Sequence, residues 1–100
     1  MATEDLDLFG ALKYHVVVSE ITGVRKYYNN AGVLHREEGP AIIWPNGTKL
    51  WYQNGSLHRT DGPAVEWSDG GREWWLNGVR YSEHAYLLCV ANHSGSITEP

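Results

Sequence analysis

Leu34-His35-Arg36-Glu37-Glu38-Gly39-Pro40-Ala41 returns 23 residues later as Leu57-His58-Arg59-Thr60-Asp61-Gly62-Pro63-Ala64. Trp44-Pro45-Asn46-Gly47 returns at the same interval as Trp67-Ser68-Asp69-Gly70, with nothing inserted or deleted between the copies. A fixed period of this length marks a repeat architecture, in which each unit is one supersecondary block that buries its apolar face only against its neighbours. The same offset links Tyr28, Trp51 and Trp74, and also Gly32, Gly55 and Gly78. A third copy begins and fails at Arg80-Tyr81, so the chain holds about two and a half units.

Within each unit, short apolar and aromatic stretches alternate with dipeptides that tolerate positive φ, which is hairpin-turn chemistry. Asn46-Gly47, Asn54-Gly55, Asp69-Gly70 and Asn77-Gly78 are read as four two-residue turns. They separate the strand-length runs Ala41 to Pro45, Thr48 to Gln53, Pro63 to Trp67 and Arg72 to Leu76. Glu38-Gly39-Pro40 and Asp61-Gly62-Pro63 place a residue without an N–H at the start of a strand, where a missing ladder donor costs least, and so mark corners. The expected fold is mainly β: an antiparallel β meander of 23-residue hairpin repeats in sequence order.

Both ends differ from the repeat. Ser82 to Asn92 has a Ser at an N-cap position, an acid in the first turn and no Gly or Pro, which predicts a short capping helix. Tyr14 to Ile21 and Gly23 to Asn30 read as two strands of a degenerate first hairpin. The division is then a single domain: an acidic leader over 1–13, the degenerate hairpin over 14–30, repeats over 31–81, the helix over 82–92 and a tail over 93–100. The leader and tail are expected to be loose.

Side-chain parity sorts the strand faces, because residues two apart point the same way. Trp44, Trp51, Trp67 and Trp74 recur at repeat positions and are assigned to the core. Tyr52 and Trp75 fall on the opposite side, with Tyr27 and Asn29 nearby, as an exposed aromatic patch of the kind that anchors interfaces. The pairs His35-Arg36 and His58-Arg59 each carry an acid, Glu38 or Asp61, two residues beyond the arginine. They could form a cationic rim that grips carboxylate or phosphate. The simpler reading pairs each Arg with its acid across the corner while His caps a turn. The candidate partner-binding residues are therefore Tyr27, Tyr52, Trp75, His35, Arg36, His58 and Arg59.

Composition narrows the function classes. The chain has 100 residues and a formal net charge of −4, with eight basic and twelve acidic residues, which argues against a phosphate-backbone footprint and hence against nucleic acid. Its apolar runs fall short of the ~20 residues a membrane helix needs. One cysteine, Cys89, and no basic start followed by an apolar stretch point to the cytoplasm. Asn46-Gly47-Thr48, Asn54-Gly55-Ser56 and Asn92-His93-Ser94 fit the glycosylation rule, but turns already explain the first two. Histidines of adjacent units would lie two strands apart, roughly 10 Å at ~4.8 Å per strand, too far to share a zinc at ~2.1 Å. No metal and no cofactor is expected. Neither a nucleophile motif nor a phosphate-cradling loop is present, so the chain reads as non-enzymatic.

The 23-residue period, the Asn-Gly and Asp-Gly turns, the recurrent aromatic, and Gly-x-x-His at Gly32–His35 and Gly55–His58 resemble MORN repeats. The His-Arg form at His35–Ala41 and His58–Ala64 is more similar to the His-Arg-x-Asp-Gly-Pro-Ala repeats found in tailed bacteriophages and some bacteria. The resemblance covers roughly residues 24 to 86. It implies an interaction scaffold ending in a helix, in the form of a phage-encoded inhibitor of a host defence or regulatory protein acting in the host cytoplasm. Two other outcomes stand beside a protein partner: a homodimer closed by the same aromatics, and a sponge that sequesters an anionic nucleotide between aromatic faces and the His-Arg rim.

Overall fold

The computed structural model describes residues 14–93, so the expectations for the leader, and for the tail beyond His93, lie outside the described residues. Among the described residues nine strands run in chain order: β1 (His15–Val18), β2 (Arg25–Tyr28), β3 (Ile42–Ile43), β4 (Lys49–Leu50), β5 (Tyr52–Gln53), β6 (Ser56–Leu57), β7 (Val65–Glu66), β8 (Arg72–Leu76) and β9 (Val79–Tyr81). One helix, α1 (Glu83–His93), follows them. The fold is an antiparallel β meander with a C-terminal helix, as the repeat predicts. Its strand order is not the simple chain order. Seven strands form the sheet β1-β2-β3-β4-β7-β8-β9, while the hairpin β5–β6 turns out of it as a separate pair.

The hairpins come in two kinds. Asn54 (φ 50°) with Gly55 (φ 87°), and Asn77 (φ 50°) with Gly78 (φ 80°), have positive φ at both positions and make the two-residue turns expected of Asn-Gly. At Asn46-Gly47 and Asp69-Gly70 only the glycine is left-handed. There the Gly47 N–H bonds Trp44 O at 3.0 Å and the Trp44 N–H bonds Thr48 O at 2.9 Å, with Gly70 and Trp67 repeating the pattern. These are three-residue loops, a type I turn followed by a left-handed residue. Asn46 and Asp69 stay out of the left-handed region because their side-chain oxygens accept the N–H groups of Thr48 and Gly71, each at 2.9 Å.

The first hairpin also departs from the 23-residue offset. Gly32 N–H bonds Asn29 O and Asn29 N–H bonds Val33 O, both at 2.9 Å, so Asn30-Ala31-Gly32 is a three-residue loop where the next unit has only Asn54-Gly55. The extra residue moves the aromatic position. Tyr27 and Trp51 each donate their N–H to an alanine carbonyl, Ala41 and Ala64, at 2.8 Å. Their own carbonyls receive the N–H of His35 and His58 at 3.0 Å. Tyr27, not Tyr28, is thus the counterpart of Trp51, and because a one-residue slip reverses a strand's faces, Tyr27 is in the core at 6 % exposure.

Register then fixes the faces. Ile42 pairs with Leu50, Leu50 with Val65, and Val65 with Glu73, so one row of side chains crosses the sheet on a single face. Trp44, Trp67 and Trp75 lie two residues beyond Ile42, Val65 and Glu73, and share that face. The other face carries Tyr27 and Trp51, over which the Gly-Pro-Ala corners fold. Ala41 and Ala64 are fully buried beneath them, with Val24, Ile42 and Val65 completing the interior. Ser82 caps α1 as predicted, its Oγ accepting the Ala85 N–H at 3.1 Å. Tyr86 of α1 and Tyr14 at the other end are both buried. No helix among the described residues is long and apolar enough to cross a membrane.

Candidate functional site

Each His-Arg corner is built around an arginine laid flat on an aromatic ring. The Arg36 guanidinium carbon lies 3.9 Å from the Tyr27 ring centre, and that of Arg59 the same distance from the Trp51 ring centre. Each Nη1 donates to the carbonyl of the corner proline, Pro40 at 3.3 Å and Pro63 at 3.0 Å. A stacked, planar, multiply donating guanidinium suits this post where a lysine would not. Arg59 further donates through Nε to Asp61 at 2.7 Å and through Nη1 to Glu66 at 3.0 Å.

The histidines work between units. His35 Nδ1 accepts the Asn54 N–H and His58 Nδ1 the Asn77 N–H, each at 2.9 Å, so each imidazole caps the two-residue turn of the following hairpin. Accepting at Nδ1 places the ring proton on Nε2, which in His35 faces Glu37 Oε2 at 3.3 Å. His35 is 9 % exposed. Backbone bonds from Gly55 to Leu34 and from Gly78 to Leu57 continue the same stacking at 2.8 and 2.9 Å. Of the two readings of the rim, the histidine turn cap holds in both corners, but the pairing of Arg with its acid holds only in the second, where Arg59 bonds Asp61; Arg36 bonds Pro40 O and does not pair with Glu38.

Of the other predicted binding residues, Tyr27 is interior, in edge contact with Tyr14 at 5.9 Å between ring centres, so it is not part of an exposed patch. Tyr52 and Trp75 are half-buried. The core assignment of four tryptophans is corrected for two. Trp51 and Trp74 are half-buried, whereas Trp44 and Trp67 are 42 % and 46 % exposed. Each of the exposed pair stands at the mouth of a three-residue loop, where the chain leaves the sheet before a second layer can cover it. Pro45, at the position that favours a type I turn, was the sequence signal for the first of these loops; Ser68 stands there in the second.

Of the exposed pair, Trp67 is held in place together with the half-buried Trp75. Trp67 Nε1 donates to Glu73 Oε2 and Trp75 Nε1 to Glu73 Oε1, both at 2.9 Å, so one carboxylate fixes two rings. Burial pushes the Glu73 carboxyl up, but the two indole N–H bonds and the charge of Arg80 outweigh it and hold it below the ordinary value. Trp44 closes a shallow cleft of about 330 Å³ with Val17, Val24, Lys26 and Tyr28 on the same face. Because β4 separates β3 from β7, Trp44 and Trp67 stand two strands apart, roughly 10 Å. A second cleft, of about 470 Å³, lies between the two corners and presents Glu37, Glu38 and Asp61 beside Trp51 and His58. Among the described residues no group of three His, Cys, Asp or Glu side chains could hold a metal ion. No family model, no curated protein and no solved structure matches this chain.

Proposed function

We propose that the chain is a non-catalytic protein-binding module whose contact surface is the sheet face bearing Trp44, Trp67 and Trp75. The observation that carries this reading is the exposure of Trp44 and Trp67 on one face, one repeat apart, in a row continued by Tyr28 and Val17. Large aromatics left in water supply much apolar area on docking, and Trp67, held by Glu73, gives up little entropy, the profile of an interface anchor. The resemblance to phage repeats adds the proposal that the partner is a host protein. A nucleotide is served less well, because the larger cleft offers three carboxylates and its Arg59 is already bound within the corner.

The test is affinity capture from bacterial lysate by the tagged chain beside Trp44→Ala and Trp67→Ala, with circular dichroism confirming that both variants fold. A stoichiometric partner held by the wild type and lost by both variants supports the reading; retention by both overturns the assigned face. Sedimentation of the chain alone identifies the case in which a second copy occupies it.

A further inference from the structure

We propose that the sheet surface centred on Ile43, opposite the tryptophan face, is a carboxylate-binding site formed by Arg36, Arg25 and Lys49. The second unit displays the filled version. Glu66 sits between Lys49 and Arg72 in direct cross-strand register, and Arg59 reaches over Trp51 to bond its Oε2 at 3.0 Å. Arg59 touches the carboxylate, and Lys49 and Arg72 flank it on the neighbouring strands.

The first unit repeats the arrangement without the acid and shares Lys49, which lies between the two positions. Ile43 pairs directly with Arg25 on one side and Lys49 on the other, and Arg36 lies over Tyr27, two residues along the strand from Arg25. Ile43 occupies the place of Glu66, so the apolar side chain stands where the carboxylate would be. The other acid is missing as well. Asp61 accepts the Arg59 Nε–H bond at 2.7 Å, whereas its counterpart Glu38 accepts from the Tyr14 hydroxyl at 2.6 Å. Arg36 Nε is consequently buried with no hydrogen-bond acceptor. Among the described residues neither Arg25, Arg36 nor Lys49 forms an ion pair, in a chain whose net charge is −4.

A guanidinium half-withdrawn from water and lacking its counter-charge favours an anion brought from outside, and the planar fork matches a carboxylate. The second unit identifies the ligand chemistry, since the group it places there is a glutamate side chain. The bound carboxylate meets the outer guanidinium nitrogens and the Arg25 and Lys49 heads, while Nε stays covered. This site is independent of the tryptophan face.

The experiment follows the arginine Nε–Hε resonances of the ¹⁵N-labelled chain during titration with sodium acetate at constant ionic strength, with sodium chloride and sodium phosphate in parallel. The Arg36 resonance shifts saturably with acetate and that of Arg59 does not. A blocked triglutamate peptide that saturates at lower concentration than acetate identifies the source as an acidic protein segment; the reverse order identifies a free acid. Ile43→Glu, which supplies the acid internally, abolishes the Arg36 response and melts higher than Ile43→Gln. Glu66→Gln opens the second site and makes Arg59 respond. Equal shifts at both arginines in the wild type, a response to phosphate alone, or an acetate response that persists in Ile43→Glu would each overturn the proposal.

Discussion

The corner at His35–Ala41 and the corner at His58–Ala64 share a sequence pattern and a backbone, yet differ in how their charges close. In both, Arg stacks on an aromatic at 3.9 Å, bonds the proline carbonyl, and leaves His to cap the next turn. In the second, Asp61 and Glu66 neutralise Arg59. In the first, Arg36 has no carboxylate among the described residues. The repeated residues thus set the shape of the corner, while residues outside the pattern decide its electrostatics. Tyr14 and Tyr86 are two such residues, one closing each end. Tyr14 O accepts the Glu37 N–H at 2.9 Å; Tyr86 donates to Arg59 O at 2.5 Å and accepts the Gly62 N–H at 3.2 Å.

Removing the closing tyrosine should produce the largest effect. Tyr86 is 2 % exposed and among the largest fully buried side chains, so Tyr86→Ala should cost about 3–5 kcal/mol in urea unfolding. Tyr86→Phe, which keeps the ring and removes only the hydroxyl bonds to the second corner, should cost about 1–3 kcal/mol. Burial pushes the phenol up; the Gly62 N–H bond pulls it down, Asp61 raises it and Arg59 lowers it, and the net displacement is upward from 10.0. A raised folded value means that this contribution is complete below the unfolded pKa and is lost as pH rises through the folded one. The wild type should therefore lose more stability than Tyr86→Phe in alkali. An equal loss in both would detach the hydroxyl from the corner it closes.

Replacing each arginine with Met should separate the corners by a smaller margin. Arg59→Met strands Glu66 and removes the Trp51 stacking and the bond to Pro63, for an expected loss of about 2 kcal/mol. The Asp61 pair adds little, because that carboxylate is 82 % exposed. Arg36→Met loses a comparable stack and carbonyl bond but also relieves an orphaned buried donor, so its cost should be about 1 kcal/mol or less. Equal losses in the two variants would show that the charges do not distinguish the corners.

The difference between the corners bears on what sequence reasoning can reach. The 23-residue period, the meander, the Asn-Gly turns with two left-handed residues and the Ser82 cap were legible, because each depends on local chemistry at a fixed spacing. The tryptophan faces were not. Two-residue and three-residue loops carry nearly the same Asn-Gly or Asp-Gly signature, and the choice between them decides which side chains meet water. The extra residue in Asn30-Ala31-Gly32 likewise put Tyr27 in the position that a constant offset assigns to Tyr28. Glu38 and Asp61 read as equivalent acids, yet Glu38 accepts from Tyr14 and Asp61 from Arg59. The replacement of Glu66 by Ile43 at one repeat position, by contrast, is visible in the sequence alone.

The smallest expected effect tests whether the tryptophan face has its own closure. Glu73 accepts from Trp67 and Trp75 at 2.9 Å each, and although burial pushes its carboxyl up, those bonds and Arg80 leave it below the ordinary 4.5. A depressed folded value means that the unfolded chain binds the proton more readily, so the contribution is present above the unfolded pKa and disappears as pH falls through the folded one. The group is only half-buried and water screens it, which keeps the effect below about 1 kcal/mol. Urea midpoints at pH 7 and in the acid range below 4.5 should fall further in the wild type than in Glu73→Gln, with indole fluorescence changing over the same acid step. A wild type and a Gln variant that lose the same stability in acid would mean that the carboxylate does not hold the two indoles. The order of the exposed face would then rest on the sheet register alone.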